Sequence, residues 1–142
     1  MGKLFHRLLY RLLSLEGYLR VVSRLFFLNR WLGLGCTGRA LEYNYHLPQL
    51  VRRGDVAIDI GANLGYYTRP LADIVGAEGK VYAVEPVPVI FSVLERNVRG
   101  CRNVHLMNYA LGKEECDVEM ANDSVAEVGY FGTGRNAVSD GQ

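Results

Sequence analysis

From Lys3 onward the chain alternates basic and leucine positions at helical steps. Lys3, Arg7, Arg11 and Ser14 follow one another at intervals of four, four and three, and Leu4, Leu8, Leu12, Leu15 and Leu19 run beside them. Residues three and four apart share a helix face, so the run predicts an amphipathic helix with a polar stripe. Gly17 is expected to bend or break it, since glycine costs about 1 kcal/mol relative to alanine in a helix interior. Two helices, or one bent one, are therefore expected before Gly33. A linker with Gly33, Gly35 and Gly38 follows, and YHLPQLVRRGD suits a short helix ending at Gly54.

The periodicity then changes. VAIDI, Val56 to Ile60, is a short, almost wholly apolar run rich in β-branched residues, the pattern of a strand buried on both faces. A helix is expected from Tyr66 or Thr68 to Val75, with Gly76 and Gly79 closing it. VYAVE, Val81 to Glu85, repeats the strand pattern. Pro88 to Arg99 reads as a second helix with Ile90, Val93, Leu94 and Val98 on its inner face, and NVHLMN, Asn103 to Asn108, as a third strand. Strand, helix, strand, helix, strand with short joins is the signature of a parallel α/β sheet, in which Val56 to Ile60 is expected to be the central strand. Beyond Leu111 the pattern weakens. Residues 116–121 allow one more strand, and the polar, glycine-rich end reads as loop or frayed chain.

This organisation suggests three parts: a helical head over residues 1–40, an α/β core over 41–121, and a polar end over 122–142. Charge sharpens the first boundary. Residues 1–40 hold seven basic side chains against Glu16 alone, a charge of +6, whereas the rest of the chain has nine basic and fourteen acidic residues. Two readings of the head follow: a helix that packs on the sheet and displays solvated arginines, or a surface that contacts a membrane peripherally through residues 1–35. No apolar run reaches the ~18 residues that a membrane span needs. The three cysteines, Cys36, Cys101 and Cys116, match no metal spacing, so no metal site is expected. They read as reduced thiols, which points to the cytoplasm.

Candidate chemistry concentrates in DIGANLGYYT, residues 59–68, at the carboxyl end of the first strand, where open α/β sheets bind ligands. A dinucleotide loop needs G-x-G-x-x-G so that the backbone can approach a pyrophosphate. Here Asn63 and Tyr66 stand where the second and third glycines would be, and their side chains obstruct that approach. A phosphate-binding P-loop is excluded because no Gly-Lys-Ser/Thr follows. What fits is a ligand with a ribose but no phosphate at the loop. Glu85, 20 residues after Gly65 and ending the second strand, can accept hydrogen bonds from both ribose hydroxyls. S-adenosyl-L-methionine meets this description, its cationic sulfonium and amino group suiting Asp59.

The stretch GDVAIDIGANLGYYTRPLADIVGAEGKVYAVEPVPVIFSVLERN, continuing to NVHLMNYALGKEE, resembles the FkbM family of S-adenosylmethionine-dependent methyltransferases over Gly54 to Glu115. The resemblance implies a class I methyltransferase fold, a Rossmann-like parallel sheet preceded here by amphipathic helices and truncated after the third or fourth strand. It implies Asp59, Gly61, Asn63 and Gly65 at the methionine end of the cofactor, Glu85 on the ribose and Asn108 beside the adenine. The implied reaction is O-methylation of a small-molecule or carbohydrate hydroxyl, with no nucleic acid partner; the catalytic base and the oligomeric state stay open. The alternative is a membrane-surface or partner-binding protein acting through its basic head, with an inert sheet. Pro70 departs from the family pattern and implies a late helix start, with Thr68 as cap.

Overall fold

The computed structural model describes residues 2–33, 43–114 and 116–139, so Gly35, Cys36 and Gly38 of the expected linker lie outside it. Two helices, α1 (Lys3–Leu12) and α2 (Leu15–Trp31), precede a single-turn α3 (Leu47–Leu50). The core then alternates β1 (Val56–Ile60), α4 (Thr68–Val75), β2 (Lys80–Val84), α5 (Pro88–Asn97) and β3 (Val104–Met107). The chain goes on through β4 (Met120–Asn122), α6 (Ser124–Val128) and β5 (Asn136–Val138).

The helical break falls at Leu13–Ser14, not at Gly17. Leu13 is extended, and Ser14 caps α2 by accepting a hydrogen bond from the Gly17 N–H at 3.2 Å. A serine cap satisfies an otherwise orphaned amide, and this outweighs the modest cost of glycine in a first turn.

β1, β2 and β3 form a parallel sheet, as the alternation of strands and helices predicts, but in the order β1-β2-β3. β2 is central, and β1 lies at an edge of the described sheet; the expectation of a central Val56–Ile60 is corrected here. The strand composition explains the misreading, because β1 carries the apolar content of a doubly covered strand while only one of its faces is covered. On that face Val81 packs with Leu71, Ala72 and Val75 of α4, and Ala83 packs with Leu94 and Val98 of α5. On the other, Val56, Ile58 and Ile60 are 65%, 66% and 68% exposed, and His105 stacks on Tyr82 at 5.0 Å.

A further helical layer covers α5 from outside. Tyr18 and Leu19 of α2 cluster with Val87, Ile90 and Val93, all buried. The four apolar positions expected on one inner face of α5 thus divide between two neighbours: Leu94 and Val98 turn to the sheet, Ile90 and Val93 to α2. The polar end is also more ordered than its composition suggests. β4 and β5 pair antiparallel, and Asn122 ties the unit together by donating to the Gly132 carbonyl at 3.0 Å and to Asn136 Oδ1 at 2.8 Å. Side-chain hydrogen bonds tie the segment internally, and Met120, Tyr130 and Phe131 pack it against the Tyr18 and Leu19 cluster.

The two faces of the layered core predict unequal costs. Ile90→Ala should destabilise the chain by about 2–5 kcal/mol through a buried cavity, whereas Ile58→Ala on the open face should cost less than about 1 kcal/mol. Urea midpoints for the two variants check this. Equal losses would mean that the β1 face is covered in solution.

Candidate cofactor site

Three junctions converge at the carboxyl end of the sheet: β1 to α4, β2 to α5, and the end of β3. Gly61 and Ala62 continue the ladder, both donating to the Val84 carbonyl at 2.9 Å. The chain then turns sharply, with positive φ at Gly61 (74°), Asn63 (54°) and Gly65 (85°). Asparagine is among the few non-glycine residues that adopt this region readily, and the Asn63 side chain consolidates the turn, its Oδ1 accepting from the Leu64 N–H at 2.8 Å.

Glycine is required at Gly65 for two reasons. Its φ is positive, and an added Cβ would approach Leu94 Cδ1 to 3.0 Å, so the loop seats directly on α5. Gly61 differs. Nothing lies within 4 Å of the position its Cβ would take, and the backbone there borders open space that a ligand can approach.

Glu85 links the loop to the second junction. Its Oε2 accepts from the Asn63 N–H at 2.9 Å and its Oε1 from the Val87 N–H at 3.0 Å, and the residue is only 5% exposed. Burial raises its pKa above the ordinary value, and the Asp59 charge pushes the same way; the two backbone amides oppose them. A carboxylate offers about four acceptor positions, so two remain after these bonds.

Asp59 is bound from below by Thr68, whose Oγ1 donates to Asp59 Oδ2 at 2.6 Å. Desolvation raises the Asp59 pKa, and the hydrogen bonds from Thr68 offset part of that rise. Thr68 is the first residue of α4, with Tyr67 at the N-cap and Pro70 in the first turn. The late start and the proline position match the sequence reading, but Thr68 does not cap the helix, because its hydroxyl is committed to Asp59. Asn108 closes the third side. Its Nδ2 donates to the Glu85 carbonyl at 2.7 Å and to the Pro86 carbonyl at 3.1 Å, fixing the backbone that carries Glu85. Beyond it lies a cleft of about 870 Å³ bordered by Pro86, Pro88, Asn108, Leu111 and Met120, within the usual size of small-molecule pockets.

All six residues singled out from the sequence, Asp59, Gly61, Asn63, Gly65, Glu85 and Asn108, therefore meet in one constellation. One supporting residue escaped the sequence reading. Asn97 donates to the Leu64 carbonyl at 2.8 Å and anchors the loop to α5. Its signal was present: Asn97 falls on the apolar stripe that runs through Ile90, Val93, Leu94 and Val98, where a polar residue needs a partner. His6, His46 and His105 lie elsewhere: His6 in α1, His46 at the N-cap of α3, and His105 on the open sheet face.

A stretch of 38 residues is 42% identical to a protein-L-isoaspartate O-methyltransferase of Ignicoccus hospitalis, covering 27% of this chain and 18% of that protein. The enzyme of the same name from Methanothrix thermoacetophila is 33% identical over 52 residues, 37% of this chain and 25% of its own length. The chain thus spans a quarter or less of the curated relatives it matches. Among solved structures, Aeropyrum pernix fibrillarin with natively bound S-adenosyl-L-methionine superposes with a TM-score of 0.44 at 26% identity, over 51% of this chain and 33% of that one. A SAM-dependent methyltransferase from Aquifex aeolicus gives 0.40 at 25% identity, over 60% and 44%. No family profile matches the chain.

The raised carboxylate of Asp59 has a signed consequence. A folded-state pKa above the unfolded value of about 4 means that the folded chain holds the proton more tightly, so this contribution to stability is complete below that pH and is lost as pH rises through the folded value. Asp59→Asn, which keeps an acceptor for Thr68, should therefore gain stability relative to the parent between pH 4 and pH 7. Thermal melts across that range test the sign. A variant that loses ground as pH rises would show that ionised Asp59 is favoured by the fold.

Proposed function

We propose that this constellation binds S-adenosyl-L-methionine and that the chain carries the cofactor-binding part of an O-methyltransferase of the FkbM type. The observation that carries the reading is Glu85: a buried carboxylate at the end of β2, held against the glycine loop by two backbone amides and still able to accept further hydrogen bonds. That is the arrangement that receives a ribose diol. Two relatives with O-methyltransferase names, matched over short stretches, support the same class.

The residues present fit the cofactor. Gly61 leaves room at the backbone, Asp59 supplies negative charge for a cationic ligand, and no phosphate-binding signature competes. When bound, the cofactor supplies an electrophilic methyl group on a sulfonium, whose displacement needs alignment more than it needs covalent help. The chain's own part is to bind and orient. Glu85 holds the ribose hydroxyls, Asp59 and the loop backbone hold the methionine end, and Asn108 keeps the Glu85 and Pro86 carbonyls in place beside the cleft. Asn97 and Thr68 hold the loop and Asp59 respectively, so neither needs to move for a ligand to enter. The proposed acceptor is an oxygen nucleophile, a small-molecule or sugar hydroxyl on the FkbM reading. A cytoplasmic setting is part of the proposal, supported by the reduced-thiol reading of the cysteines.

Calorimetric titration tests this reading. S-adenosyl-L-methionine should bind, and NAD should not. Glu85→Gln should weaken the cofactor by about 1.5–3 kcal/mol, the cost of losing charge-assisted hydrogen bonds. Unchanged affinity in that variant would remove the ribose role, and tighter binding of NAD would overturn the cofactor assignment.

A further inference from the structure

Helix α1 presents two faces of opposite use. Its inner side is fastened to the body: His6 Nδ1 lies 2.9 Å from the Tyr18 hydroxyl, the His6 ring stacks on Tyr130 at 4.9 Å, and Leu9 and Tyr10 pack against the Tyr18 and Leu19 cluster. These contacts fix how the helix is rotated. None of its residues is buried, and Leu4, Leu8 and Leu12 remain 80%, 55% and 71% exposed.

The three leucines stand at steps of four, so they form one continuous stripe along the outer side. Lys3, Arg7 and Arg11, each one residue earlier, form a second exposed stripe beside it. At about 100° per residue, Arg7 and Arg11 lie only about 60° around the helix from Leu4 and Leu8. The sequence from Gly2 to Leu15 contains no acidic residue. Arg7 spends one donor on the Val128 carbonyl at 2.8 Å, which keeps its full charge available. Such a face is unsuited to water alone, because it displays apolar side chains in a row, and it is complementary to a surface that is apolar below and anionic above.

We propose that α1 docks the protein on an anionic membrane surface, with Leu4, Leu8 and Leu12 entering the acyl boundary and Lys3, Arg7 and Arg11 meeting the lipid phosphates. Among the described residues no helix is long and apolar enough to cross a membrane, so the contact is interfacial. The inference goes beyond the cofactor site and does not depend on it.

Vesicle co-sedimentation of the 142-residue chain tests the proposal, comparing phosphatidylcholine vesicles with vesicles that also contain phosphatidylglycerol. Binding is expected only to the anionic vesicles and should fall as salt is raised. Leu4→Gln combined with Leu8→Gln and Leu12→Gln should reduce it by about tenfold or more, and so should Lys3→Gln with Arg11→Gln. Ile58→Lys, on the open sheet face, and Glu85→Gln, in the cofactor site, should leave it unchanged. Because the leucines are exposed, the triple variant should melt with the parent by circular dichroism. Equal binding to both vesicle types, loss of binding with Ile58→Lys, or a large drop in melting temperature for the triple variant would each overturn the proposal. So would light scattering showing that the leucine stripe joins two copies of the chain in the absence of lipid.

Discussion

The Glu85 carboxylate is the joint on which the candidate site depends. A buried charge is unfavourable unless it is hydrogen-bonded, and here two backbone amides from separate segments, Asn63 and Val87, supply those bonds. One side chain thereby holds the loop after β1 against the start of α5. The remaining loop features follow from that link. Asn63 can occupy its positive-φ conformation because its amide is held from one side and its side chain bonds Leu64 from the other. Gly65 is pressed onto Leu94, and Gly61 is left facing open space. Asn108 then fixes the carbonyl of Glu85 itself. The carboxylate is thus a structural link and, with its remaining acceptor positions, the group proposed to receive the ribose.

A second constraint comes from the sheet. Parallel strands are apolar on both faces and are ordinarily covered on both. Here α4 and α5 cover one face and α2 covers α5 in turn, while Val56, Ile58 and Ile60 stay open on the other. The basic head therefore has two parts with different physics. α2 is a packing helix, with Tyr18, Leu19 and Ser23 buried, whereas α1 turns Leu9 inward and keeps Leu4, Leu8 and Leu12 outside. Of the two readings of the head, packing on the body describes α2, and the exposed Leu4, Leu8 and Leu12 set α1 apart from it.

Much of this was legible in the sequence because the signals were strong and local. Apolar β-branched runs bounded by glycine marked β1 and β2, and the residues nominated at their ends do converge. Strand order was not legible in the same way. The apolar content of Val56–Ile60 reports what a strand can bury, not which neighbours are present, and so it suggested a central strand where the sheet places an edge. The break between α1 and α2 was misplaced because glycine propensity was weighed without the cap at Ser14. The strand that residues 116–121 allow is present as β4, but the order beyond it, residues 123–138, is not legible, because hydrogen bonds of Asn122, Ser124 and Asn136 and scattered contacts of Tyr130 and Phe131 leave no periodic trace. Asn97 was missed for the opposite reason: the stripe on which it sits was read for its apolar members alone.

The measurement that bears most directly on the central claim is amide NMR of the labelled chain during titration with S-adenosyl-L-homocysteine, a ligand that keeps the ribose and adenine but lacks the reactive methyl group. If Glu85 is the joint between loop and ligand, the Asn63 and Val87 amides should shift first and most, with Gly61 and Gly65 following, and their hydrogen exchange should slow as the ligand saturates. If these amides stay in place while others shift, Glu85 serves only to hold the loop, and the account of the cofactor site is wrong.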